Sequence, residues 1–208
     1  MQRSKIMKKI QDIEMIISDE SVDGVFAISL VDKPAIQEDF IYLSSHEIEL
    51  KVVNEEKREV VGIALVPDKK IYRNIDGEEF NIYFTSQTIE KTNELFMKNL
   101  NLNKITSQHE RDVEGVSVIE SWIVEDSKQD KSNIYKLNAP VGSWIVKMKV
   151  YNDSEWIRVK NGEYKGFSIE GKYKEADIKA SEQVSETDEL IKEIENLINE
   201  WNTIFCKV

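Results

Sequence analysis

The chain has 208 residues, 40% hydrophobic and 32% charged, with a formal net charge of -11. That suits one domain with a proper core and some extra arms, and it argues against nonspecific affinity for nucleic acid or anionic membrane. The single cysteine, Cys206, excludes an intramolecular disulfide and any cysteine cluster for a metal.

The first residues have a basic start but neither an apolar run nor a small-residue cleavage site, so they do not read as a signal peptide. No apolar run approaches about 18 residues, so no transmembrane helix is expected, and the composition fits an intracellular protein. Ile6, Ile10, Ile13, Ile16 and Ile17 recur at helical spacing and predict an amphipathic N-terminal arm over 1–20. Val25 to Leu30 reads as a buried strand ended by Pro34. Phe40 to Leu43 and Ile48 to Val53 read as further strands, with His46 in the polar loop between them. Arg58 to Val66, Ile71 to Arg73 and Glu79 to Phe84 continue the strand pattern, broken by turn signals at Pro67 and at Asn74 to Gly77.

Residues 85–99 change texture and predict one internal helix, capped by Ser86 or Thr88. Val116 to Val124 alternates as a strand and puts Glu120 on one face with Val116, Val118 and Trp122. Such an acid is either solvated or partnered. Pro140 to Ser143 is a turn, Trp144 to Tyr151 a strand and Ile157 to Val159 a short one. Asn161-Gly162 then gives a hairpin-type turn into GEYKGFSIEGKY, Gly162 to Tyr173. There Phe167 and Ile169 point one way, while Gly166, Ser168 and Glu170 point the other. Residues 188–205 predict a C-terminal amphipathic helix whose apolar stripe suits self-association. The pattern is mainly β with flanking helices, and strands at this spacing fit a small barrel or a sandwich.

Little in this chain can carry chemistry. There is no Walker loop, dinucleotide fingerprint, HExxH or EF-hand spacing, so no cofactor and no metal are expected. A strand serine is ordinarily a solvent-facing polar group; as a nucleophile it needs a base and a group to orient that base. The candidates are Ser168, His109 and one carboxylate. Glu120 comes first, lying among apolar neighbours on the strand after His109. Glu170 follows, about 7 Å along the strand from Ser168, then Glu110 and Asp112 beside His109.

Three stretches resemble the prohead (procapsid) maturation serine proteases of tailed bacteriophages: AISLVDKPAIQEDF from Ala27, SQHERDVEGVSVIESWIVED from Ser107 and KGFSIEG from Lys165. Their order and spacing carry the likeness. The resemblance implies a closed β-barrel like that of herpesvirus assemblins, as a protease domain over 21–178 with helical segments at 1–20 and 179–208. It implies Ser168 as nucleophile and His109 as base; the family is less uniform in the acid, so Glu120 stays the first choice from the residues, with Glu170, Glu110 and Asp112 open. It also implies an endopeptidase inside the immature capsid, in the host cytoplasm, that cuts scaffold, capsid-protein extensions and itself. The competing readings are a catalytically silent capsid-assembly or tube-like protein on the same fold, and a hydrolase of small esters.

Overall fold

Near-continuous apolar runs such as VFAISL and VVGIAL set the buried strands of the computed structural model, which describes residues 10–33, 50–75 and 77–176. The strands are β1 (Gln11–Ile16), β2 (Gly24–Val31), β3 (Lys51–Asn54), β4 (Glu59–Leu65), β5 (Ile71–Ile75), β6 (Glu78–Tyr83), β7 (Ile105–Ser107), β8 (Arg111–Asp112), β9 (Val116–Ile123), β10 (Trp144–Val150), β11 (Gly166–Lys172) and β12 (Lys174–Glu175). The helices are α1 (Ser86–Lys98) and α2 (Asp153–Lys160). Among the described residues the strands form three open four-stranded sheets, ordered β12-β1-β6-β5, β3-β4-β10-β9 and β11-β2-β7-β8.

The expected closed barrel is therefore corrected. A barrel needs every edge strand paired into a continuous ladder. Here β11 and β4 meet through side chains instead. Gly62 leaves room for the Phe167 ring, which would lie 3.0 Å from a Cβ at that position. Phe167 is fully buried there, in a core that includes Ile28, Leu30, Ile63, Trp144 and Val146.

Two local expectations also change. The N-terminal arm is not helical where it is described: β1 pairs in parallel with β6 and antiparallel with β12. Alternation within QDIEMI decides this. Met15 packs on the core, while Asp12 accepts from Asn81 and pairs with Lys70. Residues 153–160, expected to hold a short strand, form α2. The Asn152 side chain caps it by accepting from the Ser154 and Glu155 amides, with Asp153 and Glu155 in the first turn and Arg158 and Lys160 in the last. Asn161 and Gly162 accordingly end a helix rather than turn a hairpin, and Gly162 takes the left-handed conformation there, φ 71°. The internal helix expected over 85–99 appears as α1, but its cap is Thr85, whose side chain accepts from the Thr88 amide, rather than Ser86 or Thr88. The strand expected over Phe40 to Leu43, His46, the C-terminal helix and Cys206 lie outside the described residues.

Candidate active site

The site is built on one face of the β11-β2-β7-β8 sheet. Ser168 of β11 lies directly opposite Ser29 of β2, and Ser29 lies opposite Thr106 of β7. Partners in register share a face, so Ser168, Ser29 and Thr106 stand together, joined by Glu170 two residues along β11. The other face carries Phe167, Ile28, Leu30 and Ile105 into the core. Alternation thus places a polar patch on the reverse of an apolar sheet. Ser29 is fully buried and Ser168 is 6% exposed.

His109 is brought over this patch by the turn between β7 and β8. Gln108 and His109 both have positive φ, 55° and 59°, and the Glu110 amide closes the turn on the Ser107 carbonyl at 3.0 Å. Non-glycine residues rarely adopt this backbone, and it persists only where the surroundings enforce it. Here they do. The Gln108 amide donates to the Leu30 carbonyl at 3.0 Å, and the His109 amide donates to Ser29 Oγ at 3.0 Å. The imidazole Nδ1 lies 3.0 Å from Glu170 Oε1, which also accepts from the buried Thr106 hydroxyl.

An ionised carboxylate can only accept, so in the neutral imidazole the proton of that contact sits on Nδ1 and the lone pair is on Nε2. The His109 side chain is 42% exposed and that of Glu170 21%. The arrangement suits general-base chemistry on a neighbouring hydroxyl: a base in a fixed tautomer, oriented by an acid, over a face that holds a serine.

The structure brings Ser168, His109 and Glu170 to this face and places Glu120 elsewhere. Glu120 lies on β9, in a different sheet. Its carboxylate pairs with Lys131 and, at 3.1 Å, with Lys147, which also meets Glu59 at 2.8 Å. The Lys131 contact, with help from Lys147, holds the Glu120 carboxyl below its ordinary range. The register of β9 shifts between Val118 and Glu120, opposite Met148 and Lys147. That bulge leaves Ile119 over and turns Glu120 and Trp122 away from the face of Val116 and Val118. Glu110 and Asp112 are exposed beside the His109 turn.

In the turn at Pro140 to Ser143 the Gly142 amide donates to the Val124 carbonyl and the Ser143 amide to that of Pro140, so neither is free to face an oxyanion. Ile28 and Leu30 hydrogen-bond toward β7, so Ser29 exchanges its backbone bonds with Ser168. The amides of Phe167 and Ile169 consequently point away from β2. A cavity of about 540 Å³ has Ser168, Ile169, Leu65, Phe84 and Tyr173 on its walls.

Ser29 and Thr106 escaped sequence reasoning. Ser29 left one signal, a lone hydroxyl within the apolar run VFAISL, while Thr106 left none without the pairing of β2 with β7.

A serine, a histidine and an acid on one sheet face define the class as a candidate serine hydrolase. The family model for proteins described as "Putative phage serine protease XkdF" matches residues 47–177, more than half of the chain, a span within which those three residues fall. The chain belongs to that family of phage serine proteases. No curated protein and no solved structure matches it.

Proposed function

We propose that the protein is a prohead maturation endopeptidase whose nucleophile is Ser168, whose base is His109 and whose orienting acid is Glu170. The observation that carries this is the 3.0 Å contact from His109 Nδ1 to Glu170 on the sheet face that holds Ser168. Ser168 Oγ attacks the scissile carbonyl as His109 Nε2 takes its proton. The tetrahedral intermediate collapses to an acyl-serine, and the proton passes to the leaving amine. Water repeats the sequence and frees the serine. Glu170 holds the tautomer and stabilises the imidazolium.

Family membership supports a phage peptide-bond hydrolase. The substrates we assign are scaffold protein, extensions of the major capsid protein and the enzyme's own chain, cut inside the immature capsid in the host cytoplasm. Self-association through the terminal segments belongs to the same proposal.

A fluorophosphonate probe tests the chemistry without a known substrate. Its phosphorus bonds to an activated serine oxygen and fluoride leaves. Wild type is expected to gain one probe mass on the peptide containing Ser168, and Ser168→Ala and His109→Ala to gain none. Labelling that persists in Ser168→Ala would remove the assignment. Intact-mass analysis of the same samples at neutral pH reads self-cleavage, and added scaffold protein reads the maturation role.

A further inference from the structure

The turn that carries His109 is tied at both ends to one buried carboxylate. Glu155 stands in the first turn of α2, with its side chain 5% exposed. Its Oε1 accepts from Arg111 Nη2 at 2.6 Å, and its Oε2 accepts from the Tyr164 hydroxyl at 2.5 Å. Tyr164 has one proton and gives it to Glu155, so the Ser107 hydroxyl, 2.9 Å away, donates to the Tyr164 oxygen. Ser107 ends β7 just before the turn, and Arg111 opens β8 just after it. Arg158 closes the network, 3.9 Å from Glu155 Oε2 and 4.9 Å above the Tyr164 ring.

Burial alone would push the Glu155 carboxyl up, but its bonds to Tyr164 and Arg111 outweigh this and hold it below the ordinary range. The carboxylate is thus a fixed anion at neutral pH. Ser107 and Arg111 already face each other in the β7-β8 ladder, but Tyr164 is remote from both in the chain, and nothing in the chemistry of Ser168 requires this ion pair. What the pair does is hold the Ser107-to-Arg111 hairpin against α2 and against Tyr164, which leads into β11. The base and the nucleophile are thereby referred to one anchor.

We infer that Glu155 is a positioning residue for His109: its two hydrogen-bonded arms, through Tyr164 to Ser107 and directly to Arg111, fix the strained turn so that the imidazole meets Glu170. This rests on the role proposed for His109, but its test does not. In a His46→Asn background His109 is the remaining histidine of the two. Its ring nitrogens can then be read by two-bond proton–nitrogen spectra, with no activity required. The wild-type protein should hold the Nδ1–H tautomer.

Glu155→Gln should raise the Nε2–H tautomer several-fold and slow fluorophosphonate labelling by about tenfold to a hundredfold, the usual cost of a small misplacement at a reacting group. Tyr164→Phe cuts one arm and leaves the Arg111 pair. It should shift both readings in the same direction by less, and the double variant should be no worse than Glu155→Gln alone. Should Glu155→Gln not fold, Tyr164→Phe decides. Variants that unfold cooperatively yet keep the wild-type tautomer and labelling rate would overturn the inference. If wild type itself does not label, the protease reading fails while the tautomer comparison still settles the clamp.

Discussion

Which carboxylate serves His109 is decided by side-chain reach. Glu170 touches the ring at 3.0 Å and is steadied by Thr106, whereas Glu120 is engaged by two lysines in another sheet. Glu170→Gln keeps the shape but can present an amide N–H to Nδ1, which favours the tautomer that leaves Nε2 without its lone pair. Fluorophosphonate labelling should fall by about two to four orders of magnitude, as in the corresponding change in a serine protease triad. Glu120→Gln should leave labelling within about twofold. It should lower stability by about 1 kcal/mol in urea unfolding, because Lys147 keeps Glu59 and the lost pair is partly exposed. If the two variants exchange these phenotypes, the acid is misassigned.

At the scale of elements, α2 matters because it delivers Glu155 and because Tyr164 follows it into β11. Gly162, past its C-terminus, has φ 71° and no atom within 4 Å of a Cβ placed there. Gly162→Ala therefore meets no clash and bears only the backbone penalty, about 1 kcal/mol. A fall in melting temperature with no change in the His109 spectra is expected; a larger loss would mean that α2 ends differently.

Elements were legible where one period dominated. β2, β4, β6, β10 and α1 follow their apolar patterns closely, and KGFSIEG placed Ser168 and Glu170 on one face of β11. Two patterns competed in the isoleucine-rich start, where pairing with β6 and β12 chose the strand. In NDSEWIRVK the apolar Ile157 and Val159 read as a strand fragment, although Asn-Asp-Ser-Glu is a helix-start signal. The bulge at Ile119 could not be read, since it depends on the register with β10. The meeting of His109 with Glu170 was equally hidden, because it needs β7 beside β2 and β2 beside β11. Local rules found the residues, and non-local pairing determined which of them meet.

At the scale of the whole molecule, the candidate active face depends on how two sheets touch. β11 has Ser168 on one side and Phe167 on the other, and the Phe167 ring fills the space above Gly62 of β4. A Cβ at Gly62 would lie 3.0 Å and 3.1 Å from two ring carbons, closer than ordinary van der Waals contact. The ring is fully buried and has no solvent into which to retreat, so β11 itself must give. Gly62→Ala should cost about 1 to 3 kcal/mol by overpacking. It should also slow fluorophosphonate labelling more than Gly162→Ala does, because the strain falls on the residue preceding Ser168. Adding Phe167→Leu removes the ring that clashes. The double variant should recover part of the labelling rate even where the lost aromatic volume keeps its stability low. That separation of rate from stability is the signature of a sheet contact that aims Ser168. If rate and stability fell and recovered together, the contact would be packing alone.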